Sequence, residues 1–320
     1  MDIRRAIAAS VSPEAAAILQ VIGDAVANLP PREPPATLED FDAAAARGAV
    51  FAEYLTAGPL AALAPRLEHW TAGGIPVLTV TPTQEGSAQA ADRAPLVYIH
   101  GGGFVGGSAR ANLLTAALAA AASGRVVHSI DYTLAPRANW RAIQDQVIEA
   151  WNAIIERSPH TPGLFGDSAG GCIAASATLA LREQGLTVPA ALILLSPVVD
   201  LARGGDTNTT LAPYDYLDAR TLDPGLRAYA TPDEWDQPLV SPIQADFSLG
   251  YPPTLLQVGT RETLLSDSVR LHRKLRAAGQ ASRLEVYEGM PHVFQPILAE
   301  TPEGRAAWRE MAEFWAEHLA

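Results

Sequence analysis

The segment Gly166-Asp167-Ser168-Ala169-Gly170 constrains the fold of this chain more than any other. It follows a short apolar run, Pro162-Gly163-Leu164-Phe165, of the kind a buried parallel strand provides. It leads into an alanine- and leucine-rich stretch, Gly171 to Arg182, that reads as a helix. A strand turning this sharply into a helix strains the residue at the turn. Flanking glycines are needed because a Cβ there would collide with neighbouring backbone. Such a turn projects the Ser168 hydroxyl from the edge of a sheet and aims a helix N-terminus at it, where developing negative charge is stabilised. Alone the pattern is weak, since small-residue runs are common in alanine-rich chains.

A second element adds specificity. His100-Gly101-Gly102-Gly103-Phe104 lies 68 residues before Ser168 and directly follows the apolar run Ala94 to Ile99. Three glycines after a strand leave backbone N–H groups unshielded and free to point at one ligand oxygen. An oxyanion hole for acyl transfer requires that arrangement. A flexible glycine turn, extended by Gly106-Gly107, is the plainer explanation, but the order of the two motifs argues against it.

Serine, acid and histidine follow one another along the chain in folds built on this elbow. His292 sits in the loop Glu288-Gly289-Met290-Pro291-His292-Val293-Phe294, straight after the strand-like Leu284 to Tyr287, where a general base belongs. Two carboxylates compete for the acid. Glu262 comes immediately after the strand Thr254 to Val258, whereas Asp267 is already about a turn into the next helix. Glu262 is preferred because the orienting carboxylate must sit at the C-terminal edge of the sheet. Asp200, after the strand Ala191 to Ser196, is a third candidate.

Taken together these residues resemble the hormone-sensitive-lipase-like esterases, the bacterial family IV carboxylesterases of the α/β-hydrolase superfamily. The resemblance rests on the His100 to Phe104 block, Asp131-Tyr132-Thr133-Leu134-Ala135-Pro136, Gly166 to Gly171, the segment around Glu262, and Gly289 to Phe294. It covers residues 76–320. It implies an α/β fold, a doubly wound and mostly parallel sheet with a helical cap over the site. It also implies Ser168 as nucleophile, Glu262 as acid and His292 as base. Gly102, Gly103 and Ala169 would donate the oxyanion-hole N–H groups, with Gly101 an alternative to one of them. Two departures stand out. Many relatives carry aspartate where this chain has Glu262. Where many follow the Tyr-x-Leu-Ala-Pro block with an acidic residue and a proline-rich run, this chain reads Arg137-Ala138-Asn139-Trp140.

Composition narrows the partners. A net charge of −12 argues against nucleic acid and anionic membrane surfaces, both of which select basic patches. The single cysteine, Cys172, excludes an internal disulfide, and the seven histidines show no metal-ligand spacing, so neither a metal nor another cofactor is expected. Met1 to Ala9, with Arg4-Arg5, looks faintly like an export signal, but Ser10, Ser12, Pro13 and Glu14 interrupt any apolar core. No apolar run reaches the ~18 residues of a spanning helix, so no membrane anchor is expected and the cytoplasm is the default location.

The layout predicts helices over Pro13–Asn28, Leu38–Ala46 and Phe51–Leu67, outside the sheet and resembling the N-terminal part of a cap in residues 1–70. The catalytic domain, 71–320, then alternates strands at 76–82, 95–99, 126–130, 162–165, 191–196, 254–258 and 283–287 with helices at about 110–122, 138–157, 169–184, 264–278 and 302–319. Alternation stops over residues 200–237, which reads as a second part of the cap. Phe104, Tyr214, Tyr216 and Phe51 are candidates for the wall of a substrate pocket, the plainer role being to pack cap against core.

The expected activity is hydrolysis of short, uncharged carboxylic esters through an acyl-enzyme. A lactone is an ester closed on itself, so lactone hydrolysis would use the same residues. A binding protein on a decayed scaffold is the alternative from another class, and the retained His292 argues against it. A peptidase would need an amine-binding acidic pocket, which nothing here suggests. Relatives of this type often dimerise through the last strand, and Leu284 to Tyr287 would be that edge.

Overall fold

In the computed structural model, the central strands are buried at every residue and successive side chains enter cores on opposite faces, so a helix layer covers each face. The structure describes residues 7–27, 33–84, 87–215, 217 and 219–320. Arg4 and Arg5, the Pro30 to Arg32 run, Asn28 and the pocket candidate Tyr216 lie outside the described residues.

The strands are β1 (Arg66–Ala72), β2 (Ile75–Thr81), β3 (Leu96–Ile99), β4 (Val127–Ile130), β5 (Gly163–Asp167), β6 (Leu192–Leu195), β7 (Thr254–Gly259) and β8 (Ser282–Tyr287). They form one sheet in the order β1-β2-β4-β3-β5-β6-β7-β8. β1, β2 and β4 pair antiparallel, and every other neighbour is parallel. A mostly parallel sheet needs cover on both faces, and its strands supply apolar side chains to each. Val97 and Ile99 join the core on the face of α4 (Trp140–Arg157), α5 (Ala169–Glu183) and α8 (Leu265–Ala277). Leu96 and Tyr98, the alternate residues, pack on the opposite face under α3 (Leu113–Ser123) and α10 (Pro302–His318).

Two features differ from the sequence expectations. β1 is not among the predicted strands: its first two residues, Arg66 and Leu67, end the stretch predicted as helix, and the rest has no element assigned; it pairs with β2 through the two-residue turn Gly73-Gly74, whose φ values of 56° and 86° glycine tolerates at no steric cost. The two separate helices predicted between Leu38 and Leu67 are one, α2 (Leu38–Leu63), started by a capping box between Thr37 and Asp40. Val11 and, on the first helix, α1 (Pro13–Ala27), Ala15 and Leu19 pack against Met290, Phe294 and Leu298, and so brace the loop that carries His292. Ser12 fixes the helix there with two 2.7 Å hydrogen bonds to the Glu303 carboxylate.

The segment after β6 forms the short α6 (Thr207–Thr210), whose Thr207 bonds to Thr263 and Ser266, and α7 (Ala219–Tyr229), which packs on the glycine loop after β3. Gly225 of α7 approaches the Gly103 carbonyl so closely that a Cβ would come within 2.4 Å of its oxygen. The unusual Arg137 to Trp140 run has local work to do. Asn139 caps α4 by accepting from the Ala142 N–H at 3.1 Å, Trp140 is buried, and Arg137 pairs with Asp42 of α2 at 2.6 Å. Both partners of that pair are about half exposed, so it contributes only about 0–1 kcal/mol. Among the described residues no helix is long and apolar enough to cross a membrane.

Candidate active site

Ser168 stands between β5 and α5 with φ 54° and ψ −120°, a conformation that costs a non-glycine residue about 1–3 kcal/mol. Its neighbours make the turn possible by lacking side chains. A Cβ on Gly166 would come within 2.4 Å of the Gly170 carbonyl oxygen, and one on Gly170 within 2.1 Å of that of Ile99. The Ser168 N–H donates to the Leu195 carbonyl at 2.8 Å, and its own carbonyl accepts from Val198 at 3.1 Å. The elbow is thus locked to β6. The hydroxyl makes no hydrogen bond among the described residues.

Asp167 secures the glycine loop after β3. Its buried Oδ1 accepts the Gly101 N–H at 3.0 Å and the Tyr98 hydroxyl. Burial raises the pKa of this carboxyl, opposed by the two hydrogen bonds. The Gly101 contact corrects one expectation: with its N–H committed to Asp167, Gly101 is not available as an oxyanion donor. Among the described residues the N–H groups of Gly102, Gly103 and Ala169 donate to no acceptor. Gly102 and Gly103, at φ 124° and 62°, adopt conformations that glycine enters freely.

The acid and histidine loops meet at the ends of β7 and β8. Gly259 allows this contact, since a Cβ there would lie 1.9 Å from the Met290 carbonyl oxygen. Arg261 N–H donates to the same carbonyl at 3.1 Å. Glu262, fully buried, places Oε2 at 2.8 Å from Nδ1 of His292. Its other oxygen accepts from the Gly259 N–H at 2.7 Å and from the Ser196 hydroxyl at 2.8 Å. Burial disfavours the His292 imidazolium. The hydrogen bond and charge of Glu262, aided by the charges of Asp215 and Asp167, outweigh it and raise the pKa above the ordinary histidine value.

Asp267 and Asp200 are elsewhere engaged. Asp267 Oδ2 accepts the N–H groups of Val199 and Asp200 at 2.9 and 3.2 Å, which holds the loop after β6. Burial pushes its pKa up to about 7, opposed by the Val199 hydrogen bond. Asp200 pairs with Arg270 at 2.7 Å.

Two residues that the sequence reading passed over complete the frame. Ser196, at φ 45°, donates to Glu262 and accepts the Val293 N–H at 3.1 Å, joining the acid to the residue after His292. Asp215 reaches from the cap to accept both the N–H and the hydroxyl of Thr263, at 2.6 and 2.8 Å, beside Glu262. Of the six non-glycine residues with positive φ among the described residues, Phe104, Ser168, Ser196 and Val293 all belong to these loops, so backbone strain is concentrated at the site.

The expected pocket aromatics fare differently. Phe104 is fully buried and stacks on Tyr229 with ring centroids 3.9 Å apart, so it packs cap against core and walls no open space. Phe51, 62% exposed, and Tyr54 lie on the solvent side of α2 and likewise enclose nothing. Tyr214 does lie beside the acid loop, its ring 5.8 Å from the Arg261 guanidinium.

A profile of the alpha/beta hydrolase fold matches residues 96–296. An esterase of Acinetobacter venetianus is 34% identical over 236 residues, covering 72% of this chain and 77% of that protein. An acetyl-hydrolase of Streptomyces hygroscopicus is 33% identical over 222 residues, 68% of this chain and 73% of that one. Among solved structures, esterase E25 superposes with a TM-score of 0.85 at 28% identity, covering 98% of this chain and 96% of its own. The chain belongs to the hormone-sensitive-lipase-like esterases of the alpha/beta hydrolase superfamily, and it is a carboxylesterase-type hydrolase.

Proposed function

We propose that the chain hydrolyses short-chain, uncharged carboxylic esters with Ser168 as nucleophile, His292 as general base and Glu262 as the acid that orients it. The observation that carries this reading is the 2.8 Å contact between Glu262 and His292 Nδ1. It holds the proton on Nδ1 and leaves Nε2 as the base. His292 takes the Ser168 proton as the hydroxyl attacks the ester carbonyl. The uncommitted N–H groups of Gly102, Gly103 and Ala169 stabilise the tetrahedral oxyanion, and protonated His292 then returns its proton to the leaving alcohol. Water, activated by the same imidazole, resolves the acyl-enzyme. The acetyl-hydrolase relative and the close approach of α7 to the glycine loop support a small acyl group.

The purified protein, assayed on p-nitrophenyl acyl esters from acetyl to dodecanoyl and on simple lactones, tests this. The acetyl and butyryl esters should give the highest kcat/KM, and Ser168→Ala should lower kcat by roughly 10⁴–10⁶. A serine-directed organophosphate should inactivate in one-to-one ratio with the label on Ser168. Activity in Ser168→Ala above a tenth of the wild-type value would overturn the mechanism. A preference for long chains or lactones would overturn only the substrate class.

A further inference from the structure

At the end of the sheet opposite Ser168, a cavity of about 260 Å³ opens beside Pro95 and Val126, the residues that lead into β3 and β4. None of the groups proposed for catalysis lines it. Its floor is a cross-strand row: Glu68 of β1, Thr79 of β2 and His128 of β4 are in register, and Trp70 lies two residues along on the same face. The last turn of α4 closes it with Ile154 and Arg157, and Arg93 stands at the other side.

The hydrogen bonds on this floor run one way. Trp70 Nε1 can only donate, and it does so to Thr79 Oγ1 at 2.8 Å. The buried Thr79 proton has one acceptor among the described residues, Nδ1 of His128 at 2.9 Å. His128 therefore carries its proton on Nε2, the ring nitrogen that Thr79 does not engage. Burial and the charge of Arg157 lower its pKa to about 4, so it is a neutral donor at physiological pH. Its ring is held edge-on to Trp70 at 5.9 Å.

Two guanidiniums border the same space. Arg157 lies over the Trp70 ring at 4.4 Å, and Arg93 donates to the Ser123 carbonyl at 3.3 Å. Among the described residues neither is paired with a carboxylate, in a chain whose net charge is −12. Among the described lining residues Glu68 is the one carboxylate, so two positive charges less one negative leave a single positive charge there. Planar forks of N–H donors match a carboxylate better than a compact cation would.

We propose that this cavity is a second binding site, separate from the Ser168 centre, for a small monocarboxylate with an apolar body. The carboxylate oxygens accept from Arg93, Arg157 and the Nε2–H of His128, and the body rests against Ile154 and Val126. The volume accommodates an aromatic or short-chain acid.

Sodium benzoate is a suitable probe, titrated into the full-length protein while histidine ring nitrogens are followed by NMR. The His128 signals are assigned by their loss in His128→Asn or, should that variant not fold, through their proximity to Trp70. They should shift saturably with benzoate. The exposed pair Arg93→Gln/Arg157→Gln should weaken the apparent affinity at least about tenfold while hydrolysis of p-nitrophenyl acetate is unchanged. The His292 signals report separately on any benzoate at the Ser168 centre, so this test does not depend on the proposed mechanism. Unmoved His128 signals, or an equal shift in the double variant, would overturn the site. An equal response to inorganic phosphate would overturn the carboxylate assignment.

Discussion

Ser196 Oγ lies 2.8 Å from Glu262 Oε1 and donates its proton to the carboxylate oxygen turned away from His292. The same hydroxyl accepts the Val293 N–H, so one small side chain fixes both the acid and the backbone next to the base. Glu262 thus reaches His292 with its second oxygen already bonded twice, by Ser196 and Gly259. An extra methylene relative to aspartate would otherwise let the carboxylate swing, and these two donors remove that freedom.

Ser196→Ala should therefore slow the reaction without unfolding the protein. Hydrogen bonds to charged groups contribute about 1.5–3 kcal/mol, so kcat should fall about 10- to 100-fold with KM little changed. Steady-state kinetics beside a thermal melt would check this. A variant with wild-type kcat would show that Gly259 alone suffices to hold the acid.

The two carboxylates can be separated directly. Glu262→Gln leaves His292 without its anionic partner and should lower kcat by about 10³–10⁴, whereas Asp267→Asn should cost less than about tenfold. Asp267 should instead reveal itself in stability. Its pKa is raised to about 7 in the folded state, so folded protein holds the proton over a range where unfolded chain has lost it. Stability from this group is full in acid and is lost as pH rises from ~4 to ~7. Asp267→Asn should flatten that part of the stability curve, as measured by urea unfolding across pH. Greater kinetic damage from Asp267→Asn than from Glu262→Gln would reassign the acid.

The acidic limb of kcat/KM reports the free-enzyme histidine. Because the His292 pKa is raised, the limb should lie above the ordinary imidazole value of ~6.5, with the optimum on the alkaline side. Asp215 contributes to that upward shift from the cap. Asp215→Asn removes a negative charge that favours the imidazolium, so the limb should move to lower pH while the amide oxygen keeps part of the Thr263 contact. A limb that stays in place, or moves up, would show that Asp215 acts on the loop and not on the charge of His292.

β8 ends the sheet with one side unpaired, and Val286 on it is 45% exposed. Arg283 there is turned to Glu317 of α10 at 3.0 Å and offers little protection against pairing. A homodimer through this edge is expected in sedimentation at micromolar concentration, and Val286→Lys should shift it towards monomer. Sedimentation of the wild type at monomer mass throughout that range would count against the interface.

The local sequence determined the parts of this protein that local physics controls. The elbow around Ser168 and the glycine run after β3 were legible because a strand turning into a helix demands small residues at fixed offsets. Most strands were legible as short continuous apolar runs, which burial on both faces of a parallel sheet requires. β1 escaped because Arg66 to Ala72 is a largely exposed edge strand with little apolar signal, although Gly73-Gly74 offered the hairpin cue. Only the tertiary structure decided which groups meet. Gly101 loses its N–H to Asp167, Ser196 finds Glu262, Asp215 finds Thr263, and Asp267 turns to the backbone after β6. These partners are between 48 and 68 residues apart, and the polar residue type alone cannot name its partner. Burial forces each of these groups to find a partner, and the order of strands in the sheet decides which one is within reach.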